Sequence, residues 1–326
     1  MPHPYAAFAS AADTSAWIIA CRCCPVSSNS SKKPIIDKVL SIGRGGDAVN
    51  NRLLPQHLNT APHFNDKMRG FSLRSKNYDM TYCVGIRLKD GMVLASDTRT
   101  NAGVDHISTF KKMYRFGVAG ERMIFIMTAG NLATSQAVIN RLRRDIRQDS
   151  GTHLLNVPTL SEAAELIGRY SAQTAQQTRQ TAAMIQDNGS FGSTFLLAGQ
   201  IKGYGMRLYM IYQEGNNIYA TCDTPFFQIG ESKYGKPILD RAINHNSNLD
   251  DAIRAVLVSF DSTIRSNLSV GFPIDLLVYR NNSFTMPQGI RITEDNPYLH
   301  SIRSQWSQGL LDILRRFDTP PPEYLA

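Results

Sequence analysis

From Thr81 onward the chain alternates between short, almost wholly apolar runs and longer stretches whose apolar residues return every three or four positions. Thr81–Leu88 and Met92–Arg99 read as two strands joined by the turn Lys89-Asp90-Gly91. Arg122–Thr128 reads as a buried strand closed by Ala129-Gly130, and a helix follows over Asn131–Arg147, with Leu132, Val138, Ile139, Leu142 and Ile146 near one face. A second helix opens at Thr159, where Thr159 and Glu162 have capping-box spacing. Ser193–Gln200, Met206–Tyr212, Ile218–Cys222 and Phe226–Gly230 then read as a meander. Helices at Gly235–Asn244 and Leu249–Ser266, a late strand at Asp275–Tyr279 and a closing helix at Pro297–Phe317 complete the pattern. Strands, two helices, strands, two helices predict an α+β fold, a four-layer αββα sandwich with helix pairs outside two sheets.

Residues 1–80 have a different texture. No period of 3.6 or 2 is sustained there, and turn-forming stretches such as Ser27–Ser31 and Gly43-Arg44-Gly45-Gly46 recur. The expectation is a poorly ordered extension, either an over-annotated start or a removed leader, ahead of one domain over 81–326. Ile18-Ile19-Ala20-Cys21 has the form of a lipoprotein cleavage site, but no basic segment precedes it and Asp13 interrupts the apolar stretch, so it is not read as a signal peptide. Cys21, Cys23 and Cys24 lack the second pair that a metal knuckle needs, since His57 and His63 are remote. Five cysteines in all form no disulfide framework and fit a reducing compartment, hence a cytoplasmic location.

Composition narrows the function classes. With 42% hydrophobic and 19% charged residues among 326, the chain is neither fibrous nor wholly disordered, and no apolar run is long enough for a membrane span. The net charge of +8 points towards nucleic acid until it is located. Ten basic against five acidic residues lie before Thr81, so five of the eight surplus charges belong to the extension. Arg141, Arg143, Arg144 and Arg147 read as the solvated face of a helix, and no nucleic-acid partner is expected. The seven histidines are scattered without ligand spacing, which predicts no metal, and nothing indicates a cofactor; His106 reads as a loop residue.

The first hairpin carries candidate chemistry. A three-residue turn at Lys89-Asp90-Gly91 sets Leu88 opposite Met92, and then Thr81, Cys83, Asp97 and Arg99 share one face. Met80 before the small Thr81 is a bond that aminopeptidase removes after initiation. Thr81 freed in this way carries both a hydroxyl and an α-amine with a reference pKa of about 8, able to serve as base for its own hydroxyl. A lysine from Lys111-Lys112 near Asp97 would help keep that amine neutral.

Thr81, Asp97 sixteen residues on and Lys112 thirty-one after Thr81 resemble the Thr/Asp/Lys site of proteasomal β-type N-terminal nucleophile hydrolases. Lys111-Lys112-Met113-Tyr114 matches the family's lysine context, with an interval from Thr81 one residue shorter than usual. Ala129-Gly130 resembles the glycine whose N–H forms the oxyanion hole, and Ile229-Gly230-Glu231-Ser232 resembles the later Ile-Gly-Ser-Gly turn, with Glu231 a departure. Ser96–Asp105, Gly235–Arg241 and Arg265–Gly271 are similar to the bacterial ancestral-beta-subunit (Anbu) group. Where the family carries Arg-Asp-x-x-Ser, this chain has Arg265-Ser266 and keeps only Ser269, which alters the proton network at the amine.

The resemblance implies a threonine-type amide hydrolase with Thr81 as nucleophile, Lys112 held by Asp97, and the oxyanion on the Gly130 N–H. Arg99, Ser232 and Ser269 are supporting candidates. It also implies self-association into a ring or open spiral that encloses the sites and a peptide or amide substrate; the lack of a long apolar run already argues against a membrane partner. The alternatives are a catalytically silent assembly protein of the same fold and an amidase acting on a small metabolite.

Overall fold

A computed structural model describes residues 81–101, 107–149, 151–184 and 190–325, all within the unit Phe71–Ala326. The expectations for the extension, Met80, the cysteine cluster and His106 lie outside the described residues. In chain order the elements are β1 (Tyr82–Arg87), β2 (Gly91–Asp97), β3 (Arg99–Asn101), β4 (Ile107–Thr109), β5 (Met113–Val118), β6 (Arg122–Gly130), α1 (Leu132–Gln148) and α2 (Leu160–Met184). They continue with β7 (Ser193–Ile201), β8 (Arg207–Ile211), β9 (Asn217–Tyr219), β10 (Phe226–Gly230), α3 (Lys236–Ala242), α4 (Leu249–Ser266), β11 (Ile274–Arg280), β12 (Ile290–Ile292) and α5 (Pro297–Arg316).

Two five-stranded antiparallel sheets result, one ordered β10-β1-β2-β11-β12 and the other β5-β6-β7-β8-β9. The pleat of each central strand feeds two cores. Tyr82, Val84 and Ile86 of β1 turn towards α3 and α4, whereas Cys83 joins Leu94, Phe125, Leu196 and Leu277 between the sheets. In β6, Ile124 and Ile126 face α1 and α2, while Met123, Phe125 and Met127 fill the inter-sheet layer. Three cores separate four layers, as the αββα sandwich requires. Strands with both faces covered read as unbroken apolar runs, which is why β1, β6 and β7 were plain in the sequence.

The helices are stopped and started by side chains. Asn131 caps α1 by accepting the Thr134 N–H at 3.0 Å, and Val138, Ile139 and Leu142 bury its inner stripe. Truncating Leu142 to alanine would cost about 2–5 kcal/mol. At α2 the Glu162 N–H reaches Thr159 Oγ1 at 3.3 Å, and the carboxylate accepts the Thr159 hydroxyl at 3.2 Å.

Three readings need correction. The first turn has two residues: the Leu88 N–H donates to the Gly91 carbonyl, Cys83 faces Ser96, and Gly91 is a strand residue opposite Arg280. Gly91 is small because the neighbouring backbone comes close; an added Cβ would lie 2.4 Å from the Tyr279 oxygen. This one-residue shift moves Asp97 opposite Tyr82, so the shared face of Thr81, Cys83, Asp97 and Arg99 is not formed. Second, β10 leaves the meander and pairs with β1, Tyr82 opposite Gly230. Third, the hydrophobic pattern predicts no element at β4, β5 or β12 and runs β3 into the strand before it: β5 and β12 are edge strands with mixed exposure and the antiparallel pair β3 and β4 is very short, so none shows a clear period.

Candidate active site

Asp97 ends β2 and is completely buried. Its Oδ1 accepts the Lys112 Nζ at 2.7 Å and the Tyr82 N–H at 3.0 Å, and its Oδ2 accepts the Gly271 N–H at 3.4 Å. Three donors, one of them cationic, compensate a carboxylate that would otherwise be costly in the interior. Burial still dominates and pushes the Asp97 carboxyl up to about 6, against the pull of Lys112 and the two N–H groups.

Lys112 stands directly before β5 and is 3% exposed. Its Nζ also donates to the Arg99 carbonyl at 2.6 Å, and its own carbonyl accepts the Thr128 N–H at 3.0 Å. The ammonium is therefore fixed between β3 and the end of β2, while Thr128 of β6 holds the lysine's backbone.

Thr81 directly precedes β1 and is 6% exposed. The peptide that joins it to Tyr82 is pinned on both sides: its carbonyl accepts the Glu231 N–H at 2.7 Å, and its N–H is the one held by Asp97. The link between Thr81 and Asp97 thus runs through the backbone, in place of the shared strand face that the sequence predicted. By the alternation of β1, Thr81 belongs with Cys83 on the inter-sheet side. Cys83 Sγ approaches the Thr128 carbonyl at 3.7 Å, and burial pushes this thiol well above its ordinary range.

Gly130 ends β6 at the mouth of α1 with φ +97°, a left-handed conformation that favours glycine. A side chain there would meet the Gly192 oxygen at 2.7 Å. The next N–H, from Asn131, is bonded to that same oxygen at 3.0 Å, so the peptide leaving Gly130 is held in place.

The supporting candidates separate. Arg99 joins the cluster through its carbonyl, while its guanidinium lies against Gly271 and donates to the Leu268 carbonyl at 3.1 Å. Ser269 belongs to the same loop, and its N–H is held by Asn267 Oδ1 at 2.9 Å. Ser232 is exposed, with its N–H on the Glu231 carboxylate at 2.9 Å. Sequence reading missed Tyr82, Gly271 and Asn267 as site residues because they act through main-chain donors or a long-range amide contact. It noted Glu231 only as a departure. Among the described residues no cluster of His, Cys, Asp or Glu has the grouping of a metal site, and no helix is long and apolar enough to cross a membrane.

Comparison with known proteins bears on the family and the fold. A family model described as proteasome subunit matches residues 80–278. The structure is similar to that of Anbu (ancestral beta-subunit) from Yersinia bercovieri, 48% identical, covering 74% of this chain and 100% of that one with a TM-score of 0.69. It is similar also to a structure described as the helical assembly of the Anbu complex from Pseudomonas aeruginosa, 52% identical, covering 75% and 100% of the two chains with a TM-score of 0.71. Anbu from Hyphomicrobium sp. strain MC1 is 43% identical over 74% of this chain and 100% of that one, with a TM-score of 0.66. The comparison with curated proteins returned no match.

Proposed function

The chain belongs to the proteasome-subunit family, and from that premise we propose that it is a threonine-type amide hydrolase whose nucleophile is Thr81. The observation that carries this reading is the pinned Thr81–Tyr82 peptide, which ties the nucleophile's backbone to the buried carboxylate that also holds Lys112. Such a tie fixes the Thr81 Cα relative to a fixed cation, the preorganisation that nucleophilic catalysis needs.

In the proposed reaction, hydrolysis of the Met80–Thr81 bond frees the Thr81 amine. The amine takes the proton of the Thr81 hydroxyl as Oγ1 attacks the carbonyl carbon of the substrate amide. Lys112 stabilises the developing alkoxide, and the Gly130 N–H receives the oxyanion. Collapse breaks the C–N bond, and the leaving nitrogen departs with the proton held by the Thr81 amine. Water, deprotonated by the same amine, then hydrolyses the Thr81 ester and restores the hydroxyl. A mature chain that starts at Thr81, either because a leader is removed or because translation begins at Met80, is supported by the length of the Yersinia and Pseudomonas relatives, each spanned in full by about three quarters of this chain. By analogy with the helical assembly of the Pseudomonas relative, the chain associates with copies of itself, which would enclose the sites and restrict them to peptides or small amides. We place it in the cytoplasm, where unpaired thiols such as Cys83 persist.

The test is intact-mass analysis followed by trapping with an electrophile that bonds to N-terminal threonine. A mass corresponding to a chain starting at Thr81, an adduct on Thr81 and no adduct in Thr81→Ala are expected. A Met80–Thr81 bond retained in the mature protein, or an adduct that survives Thr81→Ala, overturns the reading; the first result leaves an assembly protein of the same fold.

A further inference from the structure

Thr81 and Glu231 face each other across the ladder of β1 and β10, one step beyond the pair Tyr82 and Gly230. The Glu231 N–H bonds to the Thr81 carbonyl, which marks a hydrogen-bonded antiparallel pair and directs the Thr81 nitrogen towards the Glu231 main chain. Gly230 allows this approach: at φ +82° it brings the backbone so near that an added Cβ would lie 2.0 Å from the Thr81 oxygen. Residue 231 is therefore the nearest cross-strand neighbour of the nitrogen that must act as base.

The Glu231 carboxylate is held as carefully as that of Asp97. Its Oε1 accepts the N–H groups of Ser232 and Lys233 at 2.9 and 2.8 Å, and its Oε2 accepts Asn267 Nδ2 at 2.7 Å. Asn267 Oδ1 in turn takes the Ser269 N–H, the Leu268 carbonyl takes the Arg99 guanidinium, and the Gly271 N–H reaches Asp97. A single loop, Asn267–Gly271, thus joins two carboxylates on either side of Thr81. At the end of α4 that supplies this loop the Arg265 guanidinium is paired to Asp261 at 3.2 Å, and the last turn, residues 263–266, carries no acid.

We propose that Glu231 is a positioning residue for the Thr81 amine: through Asn267 it fixes the Asn267–Gly271 loop against the nucleophile, and its negative charge offsets the Lys112 cation so that the amine stays basic. This rests on the reading of Thr81 as nucleophile. Lys112 lowers the proton affinity of a nearby amine, and a carboxylate one residue across the ladder raises it. The two charges together set the amine between a spectator ammonium and too weak a base.

The experiment uses the full chain with a specific protease site placed before Thr81, cut after folding, in parent, Glu231→Gln, Glu231→Asp and Asn267→Ala forms. The Thr81 amine is titrated directly by the pH dependence of its reaction with an amine-selective reagent, alongside kcat and KM for a peptide amide. Glu231→Gln should lower the amine pKa by about half to one unit and lower kcat with little change in KM; Glu231→Asp should recover part of both. Asn267→Ala should lower kcat while moving the amine pKa less. An amine pKa unchanged in Glu231→Gln overturns the proposal, whatever the activity. If the parent shows no turnover, the nucleophile reading fails on its own, and the amine titration still decides whether Glu231 acts on that nitrogen. A Glu231→Gln protein that loses its thermal transition is replaced by the equally uncharged Glu231→Ser, whose retained fold with an unshifted amine would equally sink the idea.

Discussion

Lys112 and Asp97 meet at 2.7 Å with side chains only 4% and 0% exposed, so each carries the other's charge in the interior. A pair this deeply buried is weak evidence for stability, because replacement by well-packed neutral residues is often neutral or favourable. Lys112→Met keeps the aliphatic stem and strands Asp97, and it should cost about 3–5 kcal/mol at neutral pH. Adding Asp97→Asn should restore most of that loss in denaturant unfolding. Neither variant should acylate at Thr81. Recovery of stability without activity separates the chemistry of the pair from its packing, whereas acylation by the double variant would show that the pair is structural.

The pH dependence of activity and that of stability should run in opposite senses. Asp97 titrates higher in the fold than in the unfolded chain, so its favourable contribution to folding is complete below the unfolded value of about 4 and is lost as pH rises through about 6. Activity needs the ionised form to hold Lys112, and should fall with an acid limb near pH 6. Asp97→Asn cannot titrate, so its unfolding temperature relative to the parent should improve between pH 4.5 and 7. Thermal unfolding at the two pH values checks the sign. A variant that loses ground as pH rises would mean that Lys112 outweighs burial at this carboxyl.

Much of this was legible in the sequence because buried central strands leave continuous apolar runs and helices leave a stripe. The layer order followed directly from that alternation. Of the residues singled out by their spacing, Asp97 and Lys112 meet in the fold, but the register between the first two strands was read one residue off. Gly91 carries the signature of a turn residue while its real constraint is the approach of β11, which a single strand's sequence does not reveal. Glu231 and Asn267 were invisible as a pair for a related reason: 36 residues separate them, and their contact exists only once β10 abandons the meander to join β1.

Arg99 supports the site from two directions, its carbonyl on Lys112 and its guanidinium on the Leu268 carbonyl. Arg99→Ala keeps the first contact and removes the second. The Asn267–Gly271 loop should loosen, with faster amide hydrogen exchange at Gly271, and kcat should fall roughly tenfold through lost positioning. Stability should change by only about 1 kcal/mol. Unchanged exchange at Gly271 together with unchanged kcat would remove Arg99 from the supporting set.

Gly130 offers the sharpest separation of backbone strain from chemistry. Its φ of +97° and the Gly192 oxygen at 2.7 Å from a would-be Cβ oppose any side chain, so Gly130→Ala should cost about 1–3 kcal/mol and shift the peptide at the mouth of α1. If the Gly130 N–H receives the oxyanion, kcat should drop roughly 100- to 1,000-fold with KM little changed. Gly120 is the control: it has φ +78° and nothing within 4 Å of an added Cβ. Gly120→Ala should therefore show the conformational cost alone, a lowered unfolding temperature with the parent's kcat. Should the two alanine variants lose stability alike and both retain turnover, the strain at Gly130 would be a matter of folding, and the oxyanion donor would have to be sought elsewhere on the rim of the two sheets.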